Sequence, residues 1–146
     1  MATVNVYLTF DGNCEAAFEF YKAAFGTEFQ YIGRFSDMPS GEENKPVSEA
    51  DGNRIMHVSL PVSNETMLMG SDSPTGGAFP FVQGNNYAIS INASSRAEAD
   101  QLFNALSSGG QITMPMNQTF WGAYFGMFTD KFGINWMMNF DEQPHV

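Results

Sequence analysis

A chain of 146 residues with six Lys and Arg against sixteen Asp and Glu carries a formal net charge of −10, which repels phosphate backbones and anionic bilayers and excludes nucleic acid and membrane as expected partners. The length suits one domain, or two halves of about 70 residues sharing a core, and no stretch reaches the ~18 apolar residues that span a bilayer. The single cysteine, Cys14, forms no internal disulfide, and Met1-Ala2-Thr3-Val4 lacks the basic-then-apolar opening of a secretory leader, so the cytoplasm is the expected compartment.

Val4 to Phe10 alternates apolar and polar residues, the period-two pattern of a strand with one buried face. Asp11-Gly12-Asn13 breaks the strand and places Asn13 to cap a helix. From Cys14 the period becomes helical: Cys14, Ala17, Phe18, Tyr21, Ala24 and Phe25 share a face, and Gly26 supplies the stop. Phe29 to Phe35 reads as a second strand. Ser36 to Asn53 is polar and acidic with two prolines, the composition of a loop or flap. Ile55 to Val62 and Thr66 to Met69 read as a third and fourth strand joined by Ser63-Asn64-Glu65.

Ser71 to Asn86, broken by glycines and two prolines, reads as a connection, which places the halves at residues 1–72 and 87–146 with a linker at 73–86. The order then repeats. Tyr87 to Ala93 is a strand, Ser95-Arg96-Ala97-Glu98 is a capping-box signature, and Ala99, Leu102, Phe103 and Leu106 continue one helical face to the stop at Gly109-Gly110. Gln111 to Met116, Gly122 to Thr129 and Ile134 to Phe140 follow as strands. Strand-helix-strand-strand-strand thus occurs twice, with Tyr7 near Tyr87 and Phe18 near Ala99 or Leu102. The expected fold is α+β: two βαβββ modules whose curled mixed sheets form a cup. A ferredoxin-like fold, with two strands per half, is the competing architecture.

Asn5 to Ala17, Phe20-Tyr21-Lys22-Ala23-Ala24-Phe25-Gly26, Ile55-Met56-His57-Val58, Gln118-Thr119-Phe120-Trp121-Gly122, Phe125-Gly126 and Thr129 to Met137 stand in that order along nearly the whole chain. Together they resemble the PhnB-like proteins of the glyoxalase/bleomycin-resistance/dioxygenase (vicinal-oxygen-chelate) superfamily. The resemblance implies paired βαβββ modules and a homodimer. PhnB-like chains often carry a 3-demethylubiquinone-9 3-methyltransferase label, but Asp11-Gly12-Asn13 is a one-glycine turn, better explained as a cap than as a nucleotide cradle. The family namesake's link with phosphonate metabolism suggests, by analogy, a phosphonate-related ligand.

The resemblance also implies a divalent metal held by His, Glu or Gln from the first, fourth, fifth and eighth strands, acting as a Lewis acid. The first strand here offers Asn5, Tyr7 and Thr9; the fourth Met67 and Met69, or Leu68 and Gly70; the fifth Tyr87, Ala88, Ser90 and Asn92; the eighth Trp136, Met137, Met138 and Asn139. None is His, Asp or Glu, and methionine is a poor ligand for hard ions, so neither a metal nor another cofactor is expected.

His57, the one histidine inside a predicted strand, is the candidate acid/base; the plain alternative is a satisfied, half-buried histidine. Tyr7, Trp121, Phe125 and Asp130 are the candidate ligand contacts, with Phe120 and Tyr124 completing an aromatic hairpin. Sheet packing competes for the aromatics, and a tight Asp130-Lys131-Phe132-Gly133 turn competes for Asp130. Strand methionines fit a core or an adaptable cup lining, and Arg34 and Arg54 fit an anion contact or plain surface charge. Three functions follow: a metal-free homodimeric module binding a small molecule, an isomerase, lyase or transferase using His57, and a structural or regulatory dimer with a vestigial pocket.

Overall fold

The computed structural model of the protein describes residues 2–37, 52–74 and 80–142. Its elements fall into two compact units, Met1–Val82 and Gln83–Val146. Most of the expected 36–53 flap and part of the 73–86 linker lie outside the described residues.

The first unit runs β1 (Val6–Phe10), α1 (Cys14–Phe25), β2 (Tyr31–Arg34), a 3-10 turn (Phe35–Asp37), β3 (Ile55–Pro61) and β4 (Met67–Asp72). Its sheet has the order β1-β4-β3-β2, with β1 parallel to β4 and the other pairs antiparallel. Period-two alternation turns Leu8, Phe10, Val58 and Leu68 into the core, where they meet the buried α1 face of Cys14, Ala17, Phe18 and Tyr21. Phe18 stands edge-on to Phe10 and Tyr21, with ring centroids 6.1 and 5.5 Å away. Burying a side chain of this size contributes about 1.5–3 kcal/mol. The close helix–sheet contact depends on Gly70, where a Cβ would lie 2.7 Å from the Leu8 carbonyl oxygen and 2.8 Å from the Phe18 ring.

The second unit runs β5 (Ile89–Asn92), α2 (Arg96–Ser107), β6 (Gln111–Gln118), β7 (Ala123–Thr129) and β8 (Asn135–Asp141), ordered β5-β8-β7-β6 with β5 parallel to β8. Phe128 stacks on Trp136 at 6.2 Å and meets Phe103 of α2 edge-on at 5.1 Å. Each open four-stranded sheet carries one helix, so the repeated βαβββ order holds and the two-strand-per-half alternative does not.

Several local expectations change for physical reasons. Asn13 occupies the N-cap position of α1, but its side chain makes no capping bond. Buried Asp72, at the end of β4, does that work: its Oδ1 accepts from the Gly12 and Cys14 amides, 2.9 Å each, and its Oδ2 from the Ile55 amide, 2.9 Å. In α2 the Ser95 hydroxyl accepts from the Glu98 amide at 3.0 Å as a cap should, but Glu98 reaches back to the Ser94 amide, one residue earlier than a capping box requires. The second strand shrinks to Tyr31–Arg34, since its register slips between Gly33 and Arg34 and Phe35 begins the 3-10 turn. The fourth lengthens through Gly70-Ser71-Asp72, which pair with Leu8-Thr9-Phe10. Tyr87 falls outside β5, whose pairing with β8 begins at Ile89 opposite Trp136. The β5 residues that share the face turned away from the helix are therefore Ser90 and Asn92, and Tyr87 is not among them.

Candidate functional site

With Leu8, Phe10, Val58 and Gly70 turned toward α1, alternation puts Tyr7, Thr9, His57, Ser59, Met69 and Tyr31 on the opposite, open face of the first sheet. The register sets Tyr7 beside Met69, Met69 beside Ser59 and Ser59 beside Tyr31, while His57 lies beside Gly33. Two tyrosines bracket the imidazole. Tyr7 stacks on His57 with centroids 5.8 Å apart at 27°, and Tyr31 approaches it to 6.0 Å at 33°. The Tyr31 phenol folds across Gly33, so a Cβ at that position would push the ring aside.

The Tyr7 hydroxyl lies 3.5 Å from His57 Nδ1, long for a hydrogen bond, so ring stacking does more than this contact to fix the imidazole. Which of the two atoms donates depends on the imidazole tautomer, and in either case Nε2 is left at the outer edge as a donor or an acceptor. Tyr7 is 49% and Tyr31 46% exposed, so a ligand can reach the cluster from solvent.

The other sequence candidates lie in the second unit. Trp121 meets Phe125 at 6.2 Å and Phe120 at 5.0 Å, both edge-on, and Phe120 is 98% exposed. Phe125 shares the face turned away from α2 with Met127 and Met137, whereas Tyr124 turns to the helix side, donates to Asp100 Oδ1 at 2.6 Å and lies under Arg96. Asp130 is buried: its Oδ1 accepts from the Phe132 and Ile134 amides at 2.8 and 3.1 Å, and its Oδ2 from the Trp136 indole at 2.9 Å. These bonds hold the β7–β8 turn. Arg34 binds Glu15 at 2.6 Å and Arg54 binds Asp11 at 3.0 Å, both beside α1. Cys14 is fully buried, and desolvation, then Asp72 and Glu15, push its thiol far up, which disqualifies it as a nucleophile.

Sequence reasoning missed Tyr31 and Gly33. Their signal, a tyrosine two residues before a glycine on one strand face, acquires meaning only once β2 is registered against His57.

Residues 3–138 match the model of the Glyoxalase/Bleomycin resistance protein/Dioxygenase superfamily. The chain belongs to that superfamily. Protein YjdN of Escherichia coli K12 is 29% identical over 142 residues, covering 94% of each chain. Protein PA1353 from Pseudomonas aeruginosa is similar at 38% identity and a TM-score of 0.82, over 97% of this chain and 98% of that one. A Bacillus cereus PhnB protein, whose name also reads 3-demethylubiquinone-9 3-methyltransferase, is similar at 25% identity and a TM-score of 0.71, over 95% and 99%. The PhnB-like resemblance in the sequence therefore holds in the fold.

For this superfamily member the metal-bearing strand positions can be tested on donor chemistry. β1 and β4 bring Tyr7 and Met69 together on the open face, and β5 and β8 bring Ser90 and Met137. Further along β5 and β8, the Asn139 amide nitrogen donates to Asn92 and Asp141, 3.2 Å each. The two methionine thioethers are poor ligands for a hard divalent ion, and neither β1 nor β5 adds a His, Asp or Glu beside them. Among the described residues, no three His, Cys, Asp or Glu side chains gather where they could hold one.

Proposed function

We propose that this superfamily member binds a small organic ligand on the open face of its first unit, independently of a divalent metal, and acts as a homodimer. One observation carries the reading: His57, stacked on Tyr7 and met at a tilt by Tyr31, combines a polar edge with accessible aromatic faces on a side of the sheet that the helix of its unit does not cover. The exposed Phe120–Trp121 pair supports dimerisation, since a second copy would bury apolar surface that water otherwise meets. Methyl transfer, the activity in the Bacillus cereus protein's name, gains no support from the β1–α1 turn. The Gly12 and Cys14 amides that a nucleotide cofactor would use already bond to Asp72.

Native mass spectrometry with zinc, nickel and manganese add-back tests the metal and oligomer statements together. A metal-free dimer that ignores added ions is the expected result; one ion per chain removes metal independence, and a mass near 16 kDa removes the dimer.

The Tyr7–His57 contact favours a second reading, an isomerase, lyase or transferase in which His57 moves a proton on an oxygenated substrate. That reading expects His57→Ala to abolish turnover with the melting temperature preserved; turnover that survives the substitution removes it.

A further inference from the structure

We infer that the first unit's open face selects an uncharged, flat, oxygen-bearing ring compound and rejects anions, phosphonates included. The inference rests on the binding reading above and adds the chemical class of the ligand.

Each described Lys or Arg of the first unit is engaged on the helix side or at the sheet's end: Lys22 with Glu28 at 3.1 Å, Arg34 with Glu15 at 2.6 Å, Arg54 with Asp11 at 3.0 Å. Among the described residues, the open face presents phenols, hydroxyls, thioethers and one imidazole, with no lysine or arginine. The other customary anion receptor, a helix N-terminus, is also spoken for, because Asp72 already places a carboxylate there. An anion settling on this face would shed water against the field of a chain at −10 and meet no fixed positive charge. The phosphonate analogy therefore finds no counterpart in these residues.

Shape comes next. The Tyr7, His57 and Tyr31 rings lie within 27° and 33° of parallel along the cluster, offering flat surfaces for another ring. Met69, between Tyr7 and Ser59 in the register, supplies a polarizable thioether that packs well against aromatic edges. The oxygen requirement follows from the polar edge: the Tyr7 hydroxyl and the imidazole offer hydrogen bonds that a pure hydrocarbon would leave unmade.

The test uses two probes with one ring and different charge, acetophenone and phenylphosphonate, titrated at pH 8 while the ring signals of Tyr7, His57 and Tyr31 are followed by NMR. Acetophenone is expected to move these signals at roughly tenfold lower concentration or better, the ratio that ~1.4 kcal/mol of charge discrimination produces. Equal or tighter binding of phenylphosphonate overturns the inference while leaving ligand binding on this face intact. If neither probe moves the three signals, the binding reading falls together with the inference. Thr9→Lys, at an exposed position of β1 on the same face, supplies the missing charge. It is expected to tighten phenylphosphonate binding by roughly tenfold; no gain would show that the lack of a cation is not what turns anions away.

Discussion

The two units share a strand order and a helix position, yet the faces they turn away from their helices differ in kind. In the first unit the row across the sheet reads Tyr7, Met69, Ser59, Tyr31, with His57 bracketed by the tyrosines. In the second, one row across the parallel pair at the sheet's edge and on to β7 reads Ser90, Met137, Met127, with Asn92, Asn139 and Phe125 in the next row. The helix sides obey the stricter rule. Both hold a glycine where the sheet meets an aromatic ring of the helix: Gly70 against Phe18, Gly126 against Phe103. Packing density constrains one side of each sheet, and the chemistry that distinguishes the units is written on the other.

The largest expected effect bears on how each unit is tied together. Both use a buried carboxylate, but Asp72 joins the β1–α1 turn to β3, whereas the amides and indole that bond to Asp130 belong to the β7–β8 turn and the start of β8. Asp72→Ala should lose about 3–5 kcal/mol, as buried amides lose their acceptor, with hydrogen exchange rising in β1, α1 and β3 together. A rise confined to the β1–α1 turn would break the contrast with Asp130.

Next in size, Gly70→Ala and Gly126→Ala should each destabilise by about 1–3 kcal/mol in chemical denaturation, because the added methyl meets a ring and a backbone oxygen. An unchanged midpoint for either would mean the helix sides are not equally tight. Smaller again, Gly33→Ala should displace Tyr31 and alter the His57 ring signals, with a stability change of about 1 kcal/mol. His57 signals that stay in place would remove Tyr31 from the cluster.

The smallest effect is in alkali. A group whose pKa is raised on folding stabilises the protein below its unfolded pKa and loses that contribution as pH climbs through the folded value. In the first unit Cys14 is raised above its ordinary 9.0 by burial, then by Asp72 and Glu15. In the second, Tyr124 is raised above 10.0 chiefly by its bond to Asp100, and Tyr87 chiefly by burial. Melting temperatures should therefore begin to fall above pH ~9, earlier than the tyrosines alone would dictate. In Cys14→Ala the onset should move up toward pH ~10; an unmoved onset would refute the thiol's part.

How much of this was legible in the sequence follows the range of the interactions. The helix face of Cys14, Ala17, Phe18 and Tyr21, the stop at Gly26 and the repeated element order are local patterns, and the fold bears them out. Strand ends were less readable. Gly70-Ser71-Asp72 looks like the start of a connection until β1 supplies its partner, and Tyr87 looks like strand until β8 runs out. The candidate site was half legible: His57 and Tyr7 stood out as residue types, and their rings meet across the open face. Tyr31 and Asp72 could not be found that way, because the partner of Tyr31 lies 26 residues away and those of Asp72 lie 17, 58 and 60 residues away, and no short-range periodicity encodes such pairings.

The parallel pairing of β1 with β4 also sets a timetable. A first strand that binds only the last strand of its unit stays unpaired until the segment beginning at Met67 has left the ribosome, 57 residues after Phe10. At roughly 5–20 residues per second that wait is about 3–11 s. Through it, Leu8 and Phe10 have α1 as their nearest apolar shelter in the chain, and a shorter wait separates β5 from β8. A nascent chain arrested before Met67 should thus be a good client for a holdase chaperone, and one extended past Asp72 a poor one.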